Sequence, residues 1–336
     1  MGENEKIDYS NDIEIPEPEM PMSSWSNDYI LKTLQMEIQE MDKYPKLRTK
    51  DYNSGKIDVI VCAKDSILTL GLCLSSLVRQ RDIGKIIVIH PHSDKITPFI
   101  AKGFGVKTVE EPLTSCLAWA RKLGVKYTTS KWVSYVDADI ILGKDHLWYL
   151  SQVANLYGNR PIAVEGILTK KRMVKSILPI GRPYKHTYLE KGDRGFTHNT
   201  IFNREVLESW RPQYTHAWED WLLTQHVLSH EKSAWIRTKT KNVAFNLQDY
   251  DFFTRVAWAS AGERMVKKLT YKFMFKSILI NILRSGKMLV KLRDVTMFLE
   301  QIMIAVGKTH GYFKWNKHLE LQRPQWLQQQ EQEFTI

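Results

Sequence analysis

Two periods of hydrophobic and polar residues alternate along the first half of the chain. Residues 57–61 form a short apolar run that is typical of a buried strand. Similar strand signals recur at 85–90, 106–109 and 132–136. Helical spacing of apolar residues lies between them, on the face formed by Ile67, Leu70, Leu74, Leu77 and Val78 and again over residues 116–123. This alternation predicts an α/β fold with a largely parallel sheet, whose ligand binds at the carboxyl ends of the strands.

The second half of the chain has a mixed pattern. It predicts a strand at 162–168, a Gly- and Lys-rich loop at 170–195 on the acceptor side, and a helix at 219–230. Residues 255–311 are predicted to form two or three basic amphipathic helices. Breaks are expected near Ser285-Gly286 and Gly307, because glycine weakens a helix.

These patterns divide the chain into five predicted segments. Residues 1–24 are rich in Glu, Pro, Asn and Ser and are expected to be a disordered acidic leader. Residues 25–50 are expected to hold an N-terminal helix, and residues 55–250 the α/β domain with its mostly parallel sheet flanked by helices. A basic helical region at 251–318 follows as a C-terminal appendage, and residues 319–336 form a polar tail.

Charge is distributed unevenly along the chain. The formal net charge is +11, yet residues 1–22 contain seven acids and the single basic residue Lys6. Residues 255–318 contain thirteen Lys and Arg against three acids, a net charge of +10. Such a block indicates an anionic partner, either nucleic acid or the acidic surface of a bilayer.

Several classes of protein are disfavoured by composition. The three cysteines are an odd number without C-x-x-C spacing, which argues against a disulfide scaffold and against a zinc site. The acidic start does not have the order of a signal peptide, so a cytoplasmic location is expected. The most apolar tail segments, 273–283 and 295–306, are shorter than a membrane span and contain charge. A peripheral position at the inner face of the membrane is therefore expected.

Two carboxylates end the fourth predicted strand, in the sequence Val136-Asp137-Ala138-Asp139. At a strand end, Asp137 and Asp139 can converge on one Mg²⁺ or Mn²⁺, because these hard ions take oxygen ligands. Such an ion can neutralise a departing nucleotide diphosphate. Two acids in a turn or a helix cap have the same sequence pattern, so the D-x-D alone does not decide.

Another acidic pair, Glu219-Asp220, lies between Trp218 and Trp221 at the start of a predicted helix. One interpretation is structural, because acids in a first helical turn are favoured by the helix dipole and tryptophans usually belong to a core. The alternative is catalytic. Asp220 would take the proton from an acceptor hydroxyl, while either tryptophan offers an apolar face to a sugar ring.

Together, the order of these motifs over residues 55–250 resembles the inverting family 2 glycosyltransferases of the GT-A fold. The first strand and turn, Val61-Cys62-Ala63-Lys64-Asp65, precede the sequence Cys73-Leu74-Ser75-Ser76-Leu77-Val78-Arg79-Gln80, which is similar to the family helix C-L-x-S-L-x-x-Q. The sequence Ala118-Trp119-Ala120-Arg121-Lys122-Leu123-Gly124 is similar to the helix before the D-x-D, with Lys122 in place of Asn. Glu219-Asp220 resembles the E-D pair of the family.

The resemblance implies a role for each of these residues. It implies that Cys62, Ala63, Asp65, Arg121, Asp137 and Ala138 bind the nucleotide-sugar. It also implies that Asp139 and Asp137 hold Mn²⁺ or Mg²⁺. Asp220 is implied as the general base with Glu219 in support, and Trp218 and Trp221 are placed on the acceptor side.

In two places the chain departs from the family pattern. The second strand of the family commonly ends in D-D-G-S, whereas this chain has His90-Pro91-His92-Ser93-Asp94, so Asp94 is the candidate to bind the base from a shifted position. The Q-x-x-R-W of the polymerising members is absent from the sequence, which favours transfer of a single sugar. The acceptor is expected to be a lipid-linked molecule or a glycan.

Other functions remain as alternatives. A nucleic-acid-binding protein would explain the basic tail but not carboxylates at a strand end, so no nucleic-acid partner is expected. A dinucleotide-binding oxidoreductase would share the α/β pattern, but the first strand is not followed by G-x-G-x-x-G. A non-catalytic nucleotide-binding protein could keep the same fold. The basic helices either bind an anionic membrane surface or pack on the catalytic domain.

Overall fold

A computed structural model describes residues 57–64, 66–111, 116–158, 160–166, 168–170, 187–213, 215, 217–237, 244–246, 252–292 and 295–313. The predicted leader at 1–24, the N-terminal helix at 25–50 and the tail at 319–336 lie outside these residues, as does Asp65. Of the predicted loop at 170–195, the structure describes Lys170 and residues 187–195.

The main sheet has eight strands in the order β3-β2-β1-β4-β9-β6-β10-β8. Their bounds are β1 Ile57–Cys62, β2 Ile83–Pro91, β3 Lys107–Glu111, β4 Trp132–Asp137, β6 Ile162–Glu165, β8 Thr187–Tyr188, β9 Asn199–Asn203 and β10 Ala234–Arg237. β1 pairs in parallel with β2 and β4, β2 with β3, and β6 with β10. β9 is antiparallel to β4 and β6, and β8 is antiparallel to β10. The prediction of a mostly parallel α/β sheet is confirmed.

Helices cover both faces of this sheet. Their bounds are α1 Ile67–Leu77, α2 Ile96–Gly103, α3 Leu117–Val125, α4 His146–Asn155, α5 Arg204–Ser209 and α6 Glu219–Ser229. One apolar core joins the sheet to α1, α2 and α4, through buried residues such as Leu74, Ala101 and Leu150. The other joins it to α3, α5 and α6, through residues such as Trp119 and Leu223. The carboxyl ends of the strands are left at one edge, where helices α3 and α6 meet the D-x-D strand.

A smaller sheet accounts for a difference from the predicted strand at 162–168. It contains β5 Ile140–Leu142, β11 Ala244–Asn246 and β7 Leu168–Lys170, in the order β5-β11-β7. The predicted strand is in fact two strands, β6 and β7, that belong to different sheets. Between them, a Cβ on Gly166 would lie 2.6 Å from the imidazole of His146, so the chain at this position is packed too closely for a side chain.

Three helices follow the sheets: α7 Phe252–Lys267, α8 Tyr271–Leu292 and α9 Val295–Phe313. The predicted break at Ser285-Gly286 is wrong, because α8 continues through both residues and the Ser285 hydroxyl donates to the carbonyl of Ile282. Gly307 also lies inside a helix, where its added Cβ would meet Val256 of α7 at 2.9 Å. Gly307 therefore serves close packing, whereas Gly286 lies on an open face of its helix. Within the described residues, no helix is long and apolar enough to cross a bilayer.

Candidate active site

The D-x-D motif lies where β4 ends, at the carboxyl edge of the sheet. Cys62 at the end of β1 is the register partner of Asp137 at the end of β4. Ala138 packs into the core at 4% exposure, whereas the side chain of Asp137 is 37% exposed. Asp139 is buried. The predicted strand end therefore leaves Asp137 partly open to solvent and holds Asp139 beneath the surface.

Arg121 connects the D-x-D motif to the acidic pair of α6. Its Nη2 donates to Oδ1 of Asp137 at 2.7 Å, and its Nη1 donates to Oε1 of Glu219 at 2.9 Å. The Arg121 side chain is only 3% exposed and that of Glu219 is 10% exposed, so their ion pair is shielded from water, whereas Asp137 is partly open. Two motifs 82 residues apart in the sequence, at 137 and 219, thus meet in one charged cluster around Arg121. We call Arg121, Asp137 and Glu219 the arginine bridge.

Electrostatics in the arginine bridge are set mainly by burial. Burial raises the pKa of Glu219, and the nearby Asp220 raises it further, while Arg121 acts in the opposite direction. For Arg121, burial alone would lower the pKa, but Asp137 and Glu219 raise it, so the guanidinium stays charged. The cation therefore has two carboxylate partners that repel each other.

Asp220, the predicted base, is held by an arginine from the loop before β9. Nε of Arg194 lies 3.0 Å from both carboxylate oxygens, and Nη2 lies 2.9 Å from Oδ2. The backbone N–H of Trp221 also donates to Oδ1 at 2.8 Å. The Asp220 side chain is 8% exposed and that of Arg194 is 30% exposed. The carboxylate is thus fixed in direction, and the arginine lies between it and solvent.

The two tryptophans that flank the acidic pair differ in environment. Trp218 has a left-handed backbone conformation with φ of 68°, and its indole donates to the carbonyl of Ala259 in α7 at 2.6 Å. The guanidinium of Arg194 and the ammonium of Lys267 lie 4.4 and 4.5 Å from its ring centre. Because Trp218 is only 8% exposed, little of this ring remains for a sugar. The half-buried Trp221 is the more open of the two rings.

The chemistry of the donor atoms at the D-x-D fits a hard divalent cation. Asp137 and Asp139 supply carboxylate oxygens, which Mg²⁺ and Mn²⁺ prefer. Burial raises the pKa of the nearby thiols of Cys62 and Cys73, so these remain neutral and are poor metal ligands. Within the described part of the chain, no group of three or more His, Cys, Asp or Glu is arranged to hold a metal. The two aspartates would need further ligands from diphosphate and water.

One family of known proteins matches part of this chain. The family model described as "Glycosyl transferase family 2" matches residues 58–210. Residues 58–210, a little under half of the chain, thus resemble a family 2 glycosyltransferase domain. The matched segment includes the D-x-D and Arg121 but ends before Glu219 and Asp220, which are placed at the site by their contacts alone.

Solved structures of similar fold include the following two proteins. S. aureus TarS shares 15% identity at a TM-score of 0.47, covering 62% of this chain and 40% of its own. Glucosyl-3-phosphoglycerate synthase from Mycobacterium tuberculosis, solved with Mn²⁺, UDP and phosphoglyceric acid, shares 14% identity at a TM-score of 0.47, covering 66% of this chain and 81% of its own. This chain thus spans well under half the length of the TarS structure. The comparison with curated proteins yields no significant match.

The first turn after β1, at the same edge of the sheet, is tightly packed. Ala63 is buried, and its N–H donates to the carbonyl of Ile89, so β1 remains joined to β2 beyond its last residue. Cys62 is half-buried at the same edge. Contacts of Cys62 and Ala63 with a nucleotide stay predictions, although both lie at the edge where the D-x-D ends.

Asp94 is engaged in the start of α2. Its Oδ1 accepts from the N–H groups of Ile96 and Thr97, each at 3.0 Å, and its Oδ2 accepts from the Thr97 hydroxyl at 2.7 Å. Burial alone would raise the pKa of Asp94, but these hydrogen bonds lower it below the usual value. The structure thus gives Asp94 a capping role. Its contact with a nucleotide base stays a prediction.

Lys122, which replaces the family asparagine, points away from the site. Its ammonium donates to the carbonyls of Leu207 and Glu208 at 2.8 and 2.6 Å, at the end of α5. A cation at a helix C-terminus is favoured by the helix dipole and by the free carbonyls. Burial lowers the pKa of Lys122 to about 8. The substitution therefore stabilises α5 against α3 and does not alter the ligand edge.

Sequence reasoning missed two residues of this site, Arg194 and Lys267. Arg194 belongs to an irregular segment without periodicity, and its partner Asp220 lies 26 residues away. Lys267 ends a helix that was interpreted only as part of a basic region. The structure shows that the residue after Arg194, Gly195, packs closely on Trp235, because an added Cβ would lie 2.1 Å from that ring.

Proposed function

We propose that this protein transfers a single sugar from a nucleotide-sugar donor to an acceptor hydroxyl, with inversion at the anomeric carbon. The supporting observation is the arginine bridge, because it joins the D-x-D strand to the start of α6 at the ligand edge of a family 2 glycosyltransferase domain. Donor and acceptor chemistry can then meet between Asp137 and Asp220.

In this mechanism, Asp220 is the general base. It takes the proton from the acceptor hydroxyl, whose oxygen forms a bond to the anomeric carbon as the bond to the diphosphate oxygen breaks. The electron pair of the broken bond leaves with the nucleotide diphosphate. Arg194 orients the Asp220 carboxylate through its bidentate contact, and Trp221 fixes Oδ1 through its backbone N–H. Both contacts are in place before substrate arrives, which lowers the cost of orientation.

On the donor side, the chain supplies charge of both signs. Asp137 and Asp139 would hold Mn²⁺ or Mg²⁺, which when bound would neutralise charge on the leaving diphosphate. Arg121 keeps Asp137 in place and carries a fixed positive charge at the same edge. Cys62, Ala63, Asp65 and Ala138 are proposed to line the donor site, as the resemblance implies.

The configuration of the product tests inversion. An α-linked nucleotide-sugar incubated with the wild-type protein, a divalent cation and an accepted hydroxyl compound is expected to give a β-linked product by NMR. A single displacement requires this outcome, because the hydroxyl attacks opposite the leaving diphosphate. A chelator should stop the transfer, and added Mn²⁺ should restore it. An α-linked product would show retention and contradict a single inverting displacement with Asp220 as base.

We also propose that α8 holds the protein at an anionic lipid surface, at the cytoplasmic face of a membrane. Tyr271, Phe275, Leu279 and Leu283 are spaced by four residues and form one exposed apolar stripe, each with more than half of its surface in water. Lys272 and Lys276 are also exposed beside it. A helix with an apolar face and flanking lysines is typical of a segment that lies in the lipid interface. The charge of the lysines favours acidic lipid over a second apolar protein surface, and it suits a lipid-linked acceptor.

Co-sedimentation with phosphatidylcholine vesicles, with and without phosphatidylglycerol, tests this location. The K272Q/K276Q variant is expected to bind the acidic vesicles about thirtyfold more weakly than wild type, since each of the two lysines near anionic lipid contributes about 1 kcal/mol. Added salt should weaken wild-type binding further. A matched control is Phe99→Ser, which removes an exposed apolar side chain from α2. Equal binding by the lysine variant, or an equal loss in the control, would contradict the proposal.

A further inference from the structure

Cationic and aromatic side chains alternate along the acceptor side of Asp220. They form a continuous row that we call the cation–aromatic ladder, which consists of Arg237, Phe196, Arg194, Trp218, Lys267 and Trp221. Each neighbouring pair has the cation between 4.4 and 5.4 Å from the ring centre. The ladder joins β10, the loop before β9, the start of α6 and the end of α7.

The cations in the ladder differ in how far their charge is neutralised. Arg237 is paired with the buried carboxylate of Glu165 at 2.9 Å, and Arg194 with Asp220. The Nζ of Lys267 lies 3.5 Å from Oε1 of Glu263, and Oε2 of Glu263 accepts from the hydroxyl of Tyr312 at 2.7 Å. This is a long contact for an ammonium and a carboxylate. Lys267 is therefore the cation with the least neutralised charge in the ladder.

The packing of α7 holds Lys267 in place. A Cβ on Gly262 would lie 2.4 Å from the Cβ of Ala217, so the helix lies directly against the segment that precedes Asp220. The hydrogen bond from Trp218 to Ala259 joins the same two segments. Trp218 itself is kept in a left-handed conformation that is costly for a bulky residue. The position of the ammonium over the two indoles is thus determined by the fold.

We propose that Lys267, together with Arg194, binds a phosphate group on the acceptor. Lys267 is 25% exposed and Arg194 is 30% exposed, so both can reach a ligand. The contacts of Arg194 with Asp220 use Nε and Nη2, which leaves Nη1 to approach an oxyanion. A phosphate at this point would lie beside the base, where the acceptor hydroxyl must be placed. Since the cations cover most of Trp218, charge recognises the acceptor here more than sugar stacking does.

This proposal rests on the proposed function only where it assigns the phosphate to the acceptor, because phosphate binding itself can be measured without turnover. Glycerol 3-phosphate and glycerol serve as a matched pair of probes in isothermal titration of the full-length protein. Glycerol 3-phosphate is expected to bind and glycerol is not. Lys267→Met keeps the apolar stem on the indoles and should weaken glycerol 3-phosphate binding about tenfold or more, as a charge-assisted hydrogen bond implies. Lys267→Arg should retain binding.

Two further variants locate the site. Lys102→Met changes an exposed lysine of α2 far from the ladder along the sheet order and should leave the affinity unchanged. Asp139→Ala should also bind glycerol 3-phosphate normally, because its phosphate does not occupy the donor site. Binding lost in Asp139→Ala and kept in Lys267→Met would place the phosphate at the donor site and overturn the inference. Binding of glycerol as tight as measurable binding of glycerol 3-phosphate would overturn it too.

The source of the phosphate follows from a second arm with phosphatidic acid vesicles. Binding of glycerol 3-phosphate that depends on Lys267 indicates a soluble phosphorylated acceptor. Vesicle binding that depends on Lys267 without binding of glycerol 3-phosphate indicates a lipid phosphate, and either result supports the site. If the wild-type protein binds a nucleotide-sugar but neither phosphate probe, this inference alone is refuted. A phosphate site without donor binding would instead refute the proposed transferase.

Discussion

Replacing Asp220 with asparagine is expected to lower kcat for sugar transfer by about a hundredfold to ten-thousandfold, the usual contribution of a general base. Asparagine keeps the size of the side chain and can still accept from the Trp221 N–H, but it cannot take the acceptor proton. We expect this loss because Asp220 is buried and Arg194 fixes the direction of its carboxylate. Initial rates with saturating donor and acceptor measure it.

Two matched variants make that result specific. Asp145→Asn replaces an aspartate at the start of α4, where asparagine tolerates the left-handed backbone, and it should leave kcat unchanged. Glu219→Gln tests the other acid of the pair, which is bonded to Arg121 and not directed at the Arg194 side. We expect a smaller loss in Glu219→Gln than in Asp220→Asn. The reverse order would assign the base to Glu219 and would require a different acceptor position.

Much of the main sheet follows from local periodicity. β1, β2, β3 and β4 were predicted because each is a short apolar run between helical stretches. The E-D helix was predicted from residue 219, and the structure begins α6 at Glu219. These elements bury regular faces against a core, so their sequence carries the same period as their structure.

Elements defined by distant partners were not predictable in this way. β9 pairs between β4 and β6 but is not predicted. Its five residues, Asn-Thr-Ile-Phe-Asn, have polar residues at both ends and so lack a strand pattern. Residues 162–168 divide into two strands at Gly166, where an added Cβ would lie 2.6 Å from His146, 20 residues earlier. Glycines show the same limit, since Gly307 is read locally as a break and is used for packing against Val256.

Site residues divide in the same manner. The D-x-D and the E-D pair could be predicted because strand ends and helix starts have sequence signatures. That Arg121 bridges them could not be predicted, since the bridge depends on how α3 and α6 meet. An aspartate such as Asp94 suits a helix cap and a nucleotide contact equally well in sequence, and only its hydrogen bonds to Ile96 and Thr97 show the first role.

Loss of Asp139 is expected to have an effect as large as loss of the base. Asp139 is buried at the end of the D-x-D, where its carboxylate would supply an oxygen to the divalent cation. Asp139→Ala should therefore remove metal-dependent donor binding and reduce transfer to background, while Asp145→Asn retains both. Transfer by Asp139→Ala at the wild-type rate would contradict a metal site at the D-x-D.

The central claim is that this chain binds a nucleotide-sugar at the D-x-D edge, and a thermal-shift screen measures it most directly. Wild-type protein is heated with UDP-, GDP-, CMP- and dTDP-sugars, with and without Mn²⁺, because a ligand at a hundred times its Kd stabilises the native state by about 2.7 kcal/mol. We expect one nucleotide to raise the Tm in a Mn²⁺-dependent manner, and Asp139→Ala to abolish the rise. No shift with any donor, or an unchanged shift in Asp139→Ala, would contradict the account.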